Sequence, residues 1–270
     1  MSRWWVWGLV CALIGCSSPS PLPDMQPGEI GRVTKIIDGD GLILDTGQRV
    51  RLISITAPVL SPRVGEAEPF SGESARILED LALGRRVQLF YPGLTRDRYD
   101  RALAHAVTVD GAGPPIWLNR AMIARGAARV RLYGSTSARG QDFLALEREA
   151  RESGSGLWAL AHYSVQDAAD VDPGVRGFAL VSGTLGPAIS VDAETRFPPA
   201  CERMFDGATL KLRIDRDAAS ACGLANGTRV DVRGWLSEGV LDLRHPWHLD
   251  VLPAPSQQYI APHSPSSSHQ

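Results

Sequence analysis

The sequence predicts an α+β fold in which a small closed barrel of five β-strands packs against three helices, followed by a second, smaller β-rich domain. Three observations predict this fold. Short segments that alternate apolar and polar residues are separated by turn dipeptides. Segments with apolar residues at helical spacing lie between and after them. A further group of strand-like segments follows a linker that contains several Asp residues and a Pro.

The five strands of the barrel are predicted from alternation. Residues 31–37, 41–45 and 48–55 form a meander with turn signals at Asp38-Gly39 and Thr46-Gly47. Residues 86–91 and 102–109 return to strand character after the first helix. Five short strands in this order are typical of an OB-type barrel.

The three helices are predicted from apolar spacing and from end signals. Ser71 is expected to cap a helix that extends to residue 83, with Gly84 as its stop. A second helix covers residues 117–125 and stops at Gly126. A third covers residues 140–152, with Phe143 on its apolar face.

Composition divides the chain into two domains, residues 30–165 and residues 173–253, with a boundary near residues 167–174. The net charge of −2 excludes a chain that is basic throughout, but residues 30–165 hold 18 Arg and Lys against 15 Asp and Glu, whereas residues 166–254 hold 9 against 13. The first domain is therefore the better candidate for a polyanion site. Residues 254–270 are rich in Pro and Ser and predict a disordered tail.

The N-terminus predicts export. Arg3 precedes an apolar run that is too short to span a bilayer as a helix, so residues 1–16 are interpreted as a signal peptide. Its end, L-I-G-C, resembles the lipobox of bacterial lipoproteins, which implies lipidation of Cys16; a plain secretory signal is the alternative. Residues 17–29, rich in Pro and Ser, are interpreted as an extended tether. Ser17 implies, by the same resemblance, the periplasmic face of the outer membrane.

Two cysteines remain for the folded part of the chain. In an oxidising cell envelope Cys201 and Cys222 are expected to pair, and two buried free thiols are the alternative. A disulfide that closes a loop of about 20 residues contributes roughly 3 kcal/mol in the chain-entropy account. No His or further Cys near either predicts a zinc site.

Four separated blocks of the first domain resemble successive blocks of the staphylococcal nuclease family. They are V-T-K-I-I-D-G-D-G, R-L-I-S-I-T-A-P, D-R-Y-D-R-A-L-A and I-W-L-N-R-A-M-I-A-R-G-A-A-R-V, in the family's order and spacing. The resemblance covers about residues 30–160. It implies an OB-type barrel with helices, a calcium-dependent nuclease activity and a nucleic-acid partner.

The same resemblance assigns site residues. Asp40 matches the first calcium-binding Asp of the family, and Arg51 and Arg101 match the two arginines that hold the phosphate. Thr56 stands where the family has its second calcium-binding Asp, and Val59 where it has the Glu that aids the attacking water. Taken alone, residues 38–40 could be only a hairpin turn, and Arg51 and Arg101 only exposed or locally paired charges.

These replacements separate binding from cleavage. Two guanidinium groups still suit a phosphodiester. Calcium prefers six to eight oxygen ligands with sufficient negative charge, so its affinity should fall. Val59 cannot accept a proton, and the loss of a positioned general base alone costs about 10² to 10⁴ in rate. Glu66 and Glu68, on the following loop, are candidate replacement acids.

The sequence therefore predicts an envelope-anchored protein that binds nucleic acid or another phosphodiester through an Arg pair, with weak or lost calcium-dependent cleavage. One alternative is an active metal-dependent endonuclease that uses the relocated Glu residues. Another is a non-enzymatic scaffold for an envelope protein. The second domain resembles the OB-like β module attached to some bacterial nuclease-like proteins. Five of its side chains could stack on or bind nucleotides, namely Trp235, Trp247, His245, His248 and Arg244, but the acidic balance favours a structural or protein-contact module.

Overall fold

The computed structural model describes residues 20–61, 66–111, 113–189, 191 and 198–253. In chain order the elements of the first domain are β1 (Gln26–Asp38), β2 (Gly41–Leu44), β3 (Arg49–Leu52), β4 (Ile55–Thr56), α1 (Ser71–Ala82), β5 (Arg86–Tyr91), β6 (Ala102–Thr108), α2 (Leu118–Ala124), β7 (Arg129–Val130) and α3 (Gly140–Glu152). Strands β1, β2, β3, β6 and β5 close into a barrel in that order. The predicted α+β class, with a five-stranded OB-type barrel and three helices, is confirmed.

Barrel closure depends on one parallel pair. Strands β1–β2, β2–β3, β1–β5 and β5–β6 are antiparallel, whereas β3 and β6 run in parallel, with Arg51 opposite Leu103. Side chains alternate along β3, so Val50 and Leu52 are buried in the core while Arg51 points to the other face of the sheet. The short ribbon β4–β7 then links the end of this strand to the segment after α2.

The helices lie within one residue of their predicted bounds, and the main difference is the residue that precedes α1. Helix α3 has the predicted bounds, and α2 lies one residue inside its predicted bounds at each end. Ser71 was expected to cap α1, but Phe70 occupies that position with a left-handed φ of 67°, and no side chain caps the helix. Ser71 is the first helical residue and is buried, so packing against the domain determines this end of the helix rather than side-chain capping.

Part of the segment interpreted as a tether packs on the barrel. Strand β1 already begins at Gln26, which pairs with Tyr91. Leu22 and Met25 are buried in a small cluster with Phe90 and Val107. This part of the segment is therefore attached to the barrel, with residues 26–29 in strand β1. The predicted signal peptide, including Cys16, and the predicted tail lie outside the described residues.

The second domain is a barrel-like sheet with its own core. Its strands are β8 (Gln166–Asp167), β9 (Gly177–Ile189), β10 (Cys201–Phe205), β11 (Lys211–Ile214), β12 (Arg229–Ser237), β13 (Val240–Leu243) and β14 (Leu249–Val251). Strand β9 pairs with β12 as well as with β10, which curves the sheet on itself. Its core includes Val181, Leu212 and Val232. Ala168 and Val171 also belong to it, so residues of the predicted boundary pack with the second domain.

Buried polar contacts join the two domains. The Arg233 guanidinium pairs with the Glu147 carboxylate, and both side chains are nearly inaccessible. The other oxygen of Glu147 accepts a hydrogen bond from the backbone N–H of Val130 at 2.8 Å. Nε2 of His248 accepts one from the N–H of Leu132 at 2.9 Å. Separating the domains would leave these buried groups without their partners, which is strongly unfavourable. The contacts therefore restrict the relative position of the domains.

No helix in the described part of the chain combines the length and the apolar character that a membrane crossing requires.

The acceptor role of His248 predicts a specific pH dependence. Burial, with the nearby Arg233, lowers the pKa of His248 to about 2, whereas the unfolded side chain titrates near 6.5. Below pH 6.5 the unfolded chain therefore binds a proton that the folded chain does not, and stability falls as pH falls. From pH 7 to pH 5 His248 should contribute about 2 kcal/mol to this loss.

Denaturant unfolding of the wild type and of His248→Gln across this pH range tests the expectation. Gln can accept the Leu132 hydrogen bond but does not titrate, so its stability should depend less on pH. Parallel curves for the two proteins would show that His248 does not carry the effect.

Candidate functional site

A cavity of about 400 Å³ opens between the end of β3, the start of β6 and the segment after β7. Three arginines contribute to its wall, Arg51, Arg101 and Arg131. The other lining residues are Leu52, Ile53, Ser54, Ile55, Leu94, Asp97, Leu103, Tyr133 and Thr136. A concave surface with several cations and one carboxylate is suited to an anion.

Arg51 lies at the centre of the barrel wall and on the cavity. Its side chain is 19% exposed and donates a hydrogen bond to the carbonyl of Ile55 at 3.4 Å. Burial lowers the pKa of Arg51 to about 10, and the neighbouring Arg101 also favours the neutral form, while Asp38 opposes the shift. The pKa stays well above neutral pH, so Arg51 carries its positive charge there.

Asp40 pairs with Arg51. Its Oδ1 forms the ion pair, and its Oδ2 accepts a hydrogen bond from the N–H of Ala57 at 2.7 Å. The preceding turn packs closely against α1, so that a Cβ on Gly39 would lie only 1.8 Å from Oγ of Ser74. The turn, helix α1 and the start of the loop after β4 therefore hold the Asp40 carboxylate in place.

Arg101 reaches the same cavity from the start of β6. Its Nη2 and Nε lie 2.7 and 2.8 Å from Oδ2 of Asp97. Burial alone would raise the pKa of Asp97, but hydrogen bonds from the backbone and side chain of Arg101 lower it overall, so Asp97 stays ionised. The structure thus brings the two predicted arginines to one cavity, each beside an acidic partner.

Sequence reasoning missed Arg131 and Tyr133. Arg131 Cζ lies 5.2 Å from the centre of the Tyr133 ring, and both side chains line the cavity. The N–H of Arg131 donates to the carbonyl of Ser54, a residue with a left-handed φ of 62°. The available signal was the alternation in R-V-R-L-Y after the second helix, which places Arg129, Arg131 and Tyr133 on one side of an extended segment.

The positions of the expected metal ligands and general base have other roles. Thr56 is buried in β4 opposite Arg129. Val59 is exposed, and its N–H donates to Oε2 of Glu68 at 3.0 Å. Both oxygens of Asp40 already have partners. The described residues contain no group of three or more His, Cys, Asp or Glu side chains that could hold a metal ion. These residues do not fit a calcium ion, which needs more anionic oxygen.

Neither candidate replacement acid lines this cavity. Glu68 lies elsewhere, and Glu66 is next to residues that the structure does not describe. Glu68 is 3.7 Å from Nη2 of Arg129 and lines a different cavity, of about 150 Å³, between the domains. Glu66 is exposed and follows residues 62–65, which are outside the described part. Glu68 is therefore committed to Val59 and Arg129 rather than to Arg51.

Among the other predicted residues, Cys201 and Cys222 are joined by a disulfide bond. His105 lies in the core, where its Nδ1 accepts a hydrogen bond from Nε1 of Trp117 at 3.2 Å, and burial lowers its pKa to about 3. His105 is thus a neutral, packed residue.

The first domain is thus an OB-type barrel with an arginine-lined cavity in its wall. Residues 49–160 match the family model described as "Staphylococcal nuclease homologue", which includes Arg51 and Arg101. The thermonuclease of Staphylococcus intermedius is 25% identical over 139 residues, 48% of this chain and 77% of that protein. The thermonuclease of Staphylococcus hyicus is 23% identical over 136 residues, 47% of this chain and 75% of that protein. The first domain is therefore staphylococcal nuclease-like over residues 49–160, a region that spans less than half of the chain.

The Asp40–Arg51 pair predicts a measurable coupling in stability. Asp40→Ala should cost about 3 kcal/mol, because it leaves the Arg51 cation poorly solvated and the Ala57 N–H without its acceptor. The double variant Asp40→Ala/Arg51→Ala should be more stable than the sum of the single changes predicts. Denaturant unfolding of the four proteins measures the coupling.

Asp80→Ala is the matched control, since Asp80 is exposed on α1 and its loss should change stability by less than about 0.5 kcal/mol. Additive effects of Asp40→Ala and Arg51→Ala would contradict a direct pair.

Proposed function

We propose that the first domain binds the phosphodiester backbone of nucleic acid in the Arg51 cavity and cleaves it slowly or not at all. The observation that carries the proposal is the convergence of Arg51, Arg101 and Arg131 on one cavity. Relatives named thermonucleases support nucleic acid as the ligand. The excess of basic over acidic residues in this domain also favours an anionic ligand.

The binding step follows from guanidinium chemistry. A planar guanidinium can donate two parallel hydrogen bonds to one phosphate, and such charge-assisted bonds are stronger than neutral ones. Arg51 and Arg101 each keep one acidic partner, so a phosphate adds to an existing pair or competes with its carboxylate. This competition predicts modest affinity that depends on salt concentration.

The weak-cleavage part of the proposal rests on Asp40, Thr56 and Val59. Hydrolysis of a phosphodiester needs an activated water and a cation that stabilises the developing charge. Val59 has no proton acceptor, Thr56 has no charge, and both carboxylate oxygens of Asp40 have partners. Arginines alone supply the electrostatic part of catalysis without the base.

Localisation at the cell envelope by a lipid on Cys16 remains a proposal from the sequence, because Cys16 lies outside the described residues. It would place the nucleic-acid site on a membrane surface.

Binding should depend on the two arginines. Arg51→Ala and Arg101→Ala should each weaken binding of single-stranded DNA by about tenfold or more, since each removes charged hydrogen bonds to phosphate. Each should also reduce the slope of log affinity against log salt by about 0.7 per lost phosphate contact. Fluorescence anisotropy at several salt concentrations measures both quantities.

Arg76→Ala, in which the lost side chain is 71% exposed on α1, is the charge-matched control and should bind nearly as well as the wild type. If Arg51→Ala and Arg101→Ala bind as well as this control, the scaffold alternative is favoured.

Cleavage should appear only when the missing groups are restored. With calcium, the variant Thr56→Asp/Val59→Glu should cut single-stranded DNA at least tenfold faster than the wild type, because it adds a carboxylate ligand and a general base. A gel assay with calcium or with a chelator measures the rates.

Glu68→Gln in the wild type is the accompanying control. Rapid calcium-dependent cleavage by the wild type would contradict the proposal, and its loss in Glu68→Gln would identify a relocated acid.

A further inference from the structure

A tryptophan of the second domain stands at the edge of the Arg51 cavity. Trp235 lies on β12 between Phe178 of β9 and Asp242 of β13. The centre of its ring is 5.1 Å from Cζ of Arg131, which lines the cavity. The residue is 38% exposed, so part of its ring is open to solvent.

Aromatic rings from both domains surround the Arg131 guanidinium. Tyr133 of the first domain lies 5.2 Å from it, and Phe178 and Trp235 of the second lie 5.6 and 5.1 Å from it. Cation–π contacts of this kind are attractive within about 6 Å. The second domain therefore helps to position a cation of the first domain's cavity.

The position of Trp235 relative to the cavity is held by the domain interface. Arg233, two residues earlier and on the same face of β12, forms the buried pair with Glu147 of α3. Arg129, two residues before Arg131, donates to the carbonyl of Phe178. Both strands that flank the cavity edge are thus attached across the interface.

Arginines that are paired with acids lie beyond Trp235. Asp242, opposite Trp235, pairs with Arg244 at 3.3 Å and with Arg213 at 3.6 Å. Arg213, Arg244 and Arg216 line a second cavity, of about 540 Å³, with the acids Asp215 and Asp242. Arg213 also pairs with Glu202 at 2.8 Å, so three arginines and three acids stand together on this face.

We propose that Trp235 is a base-stacking platform for a single-stranded nucleic acid whose phosphate occupies the Arg51 cavity, with the strand continuing toward Arg244. The proposal rests on the function proposed above and adds the second domain to the binding surface. An exposed indole beside cations is the combination that binds single strands without sequence preference, because every base has a face to stack and every linkage a charge. A base within a duplex is stacked on its neighbours on both faces, so a strand that stacks on Trp235 must be single.

The test uses probes that separate the two parts of the surface. Deoxyribose 5-phosphate has no base and can occupy only the Arg51 cavity, whereas an oligothymidylate of eight nucleotides also offers bases to Trp235. Trp235→Ala should weaken binding of the octamer by about 5- to 100-fold and leave binding of deoxyribose 5-phosphate nearly unchanged. Trp235→Phe, which keeps an aromatic face, should restore most of the loss.

Two controls exclude charge and folding as the cause. An octamer of abasic deoxyribose phosphates should bind the wild type and Trp235→Ala equally, since it has no base to stack. Val251→Ala removes another exposed apolar side chain of the second domain, 56% exposed on β14, and should bind the octamer as the wild type does. If Trp235→Ala does not fold, Trp235→Leu against Trp235→Phe makes the same comparison.

The outcomes distinguish the two proposals. Octamer binding that requires Arg51 and Arg101 but is equal in the wild type and Trp235→Ala would overturn the platform and keep the phosphate site. Binding that requires neither arginine, or no binding of any probe, would overturn both.

Discussion

The contact between the Asp40 carboxylate and the Arg51 guanidinium is the interaction on which the rest of the site depends. It joins the turn after β1 to the middle of β3, and the hydrogen bond from Ala57 extends it to the loop after β4. The same contact keeps a cation on the cavity wall and occupies the carboxylate that a metal would need. A site arranged in this way can attract a phosphate while lacking the groups that activate water, which separates affinity from catalysis in physical terms.

The second domain contributes side chains to the edge of this cavity. It is attached by the Glu147–Arg233 pair and by the hydrogen bond from Leu132 to His248, and it supplies rings around Arg131. Buried ion pairs contribute little net stability, but removing one partner is costly, so they restrict domain position more than they strengthen the fold. In the proposed binding surface both domains take part: the barrel would hold the phosphate and β12 would present an aromatic face.

The sequence predicted those features that depend on local pattern. Alternation and turn dipeptides located the barrel strands, and apolar spacing located α3 at its observed bounds. The predicted start of α1 was wrong because Phe70 precedes the helix in a left-handed conformation. Residue propensities do not indicate this conformation. The composition of residues 20–29 predicts a tether, but Leu22 and Met25 are buried against the barrel.

The site was predictable only where a motif carried it. Asp40, Arg51 and Arg101 stand in recognisable blocks. Arg131 lies near rings of both domains, and no short pattern links it to Trp235, which is distant in the chain. Whole-domain charge does not show how charges are arranged: the second domain is acidic in balance, and the face beside Trp235 places Arg244 next to Asp242. Local arrangement decides an electrostatic site of this size, because salt screens charges that lie more than about 10 Å away.

The most direct test of a site that binds without cutting follows the arginine side chains and the ligand in one sample. Nitrogen-15 NMR of the guanidinium Nε–H groups, recorded while a single-stranded oligonucleotide is added in the presence of calcium, reports on the Arg51 and Arg101 contacts as they form. The account predicts that both resonances shift with a common affinity and that the oligonucleotide is intact when recovered. Resonances that do not respond, or an oligonucleotide recovered as fragments, would contradict it.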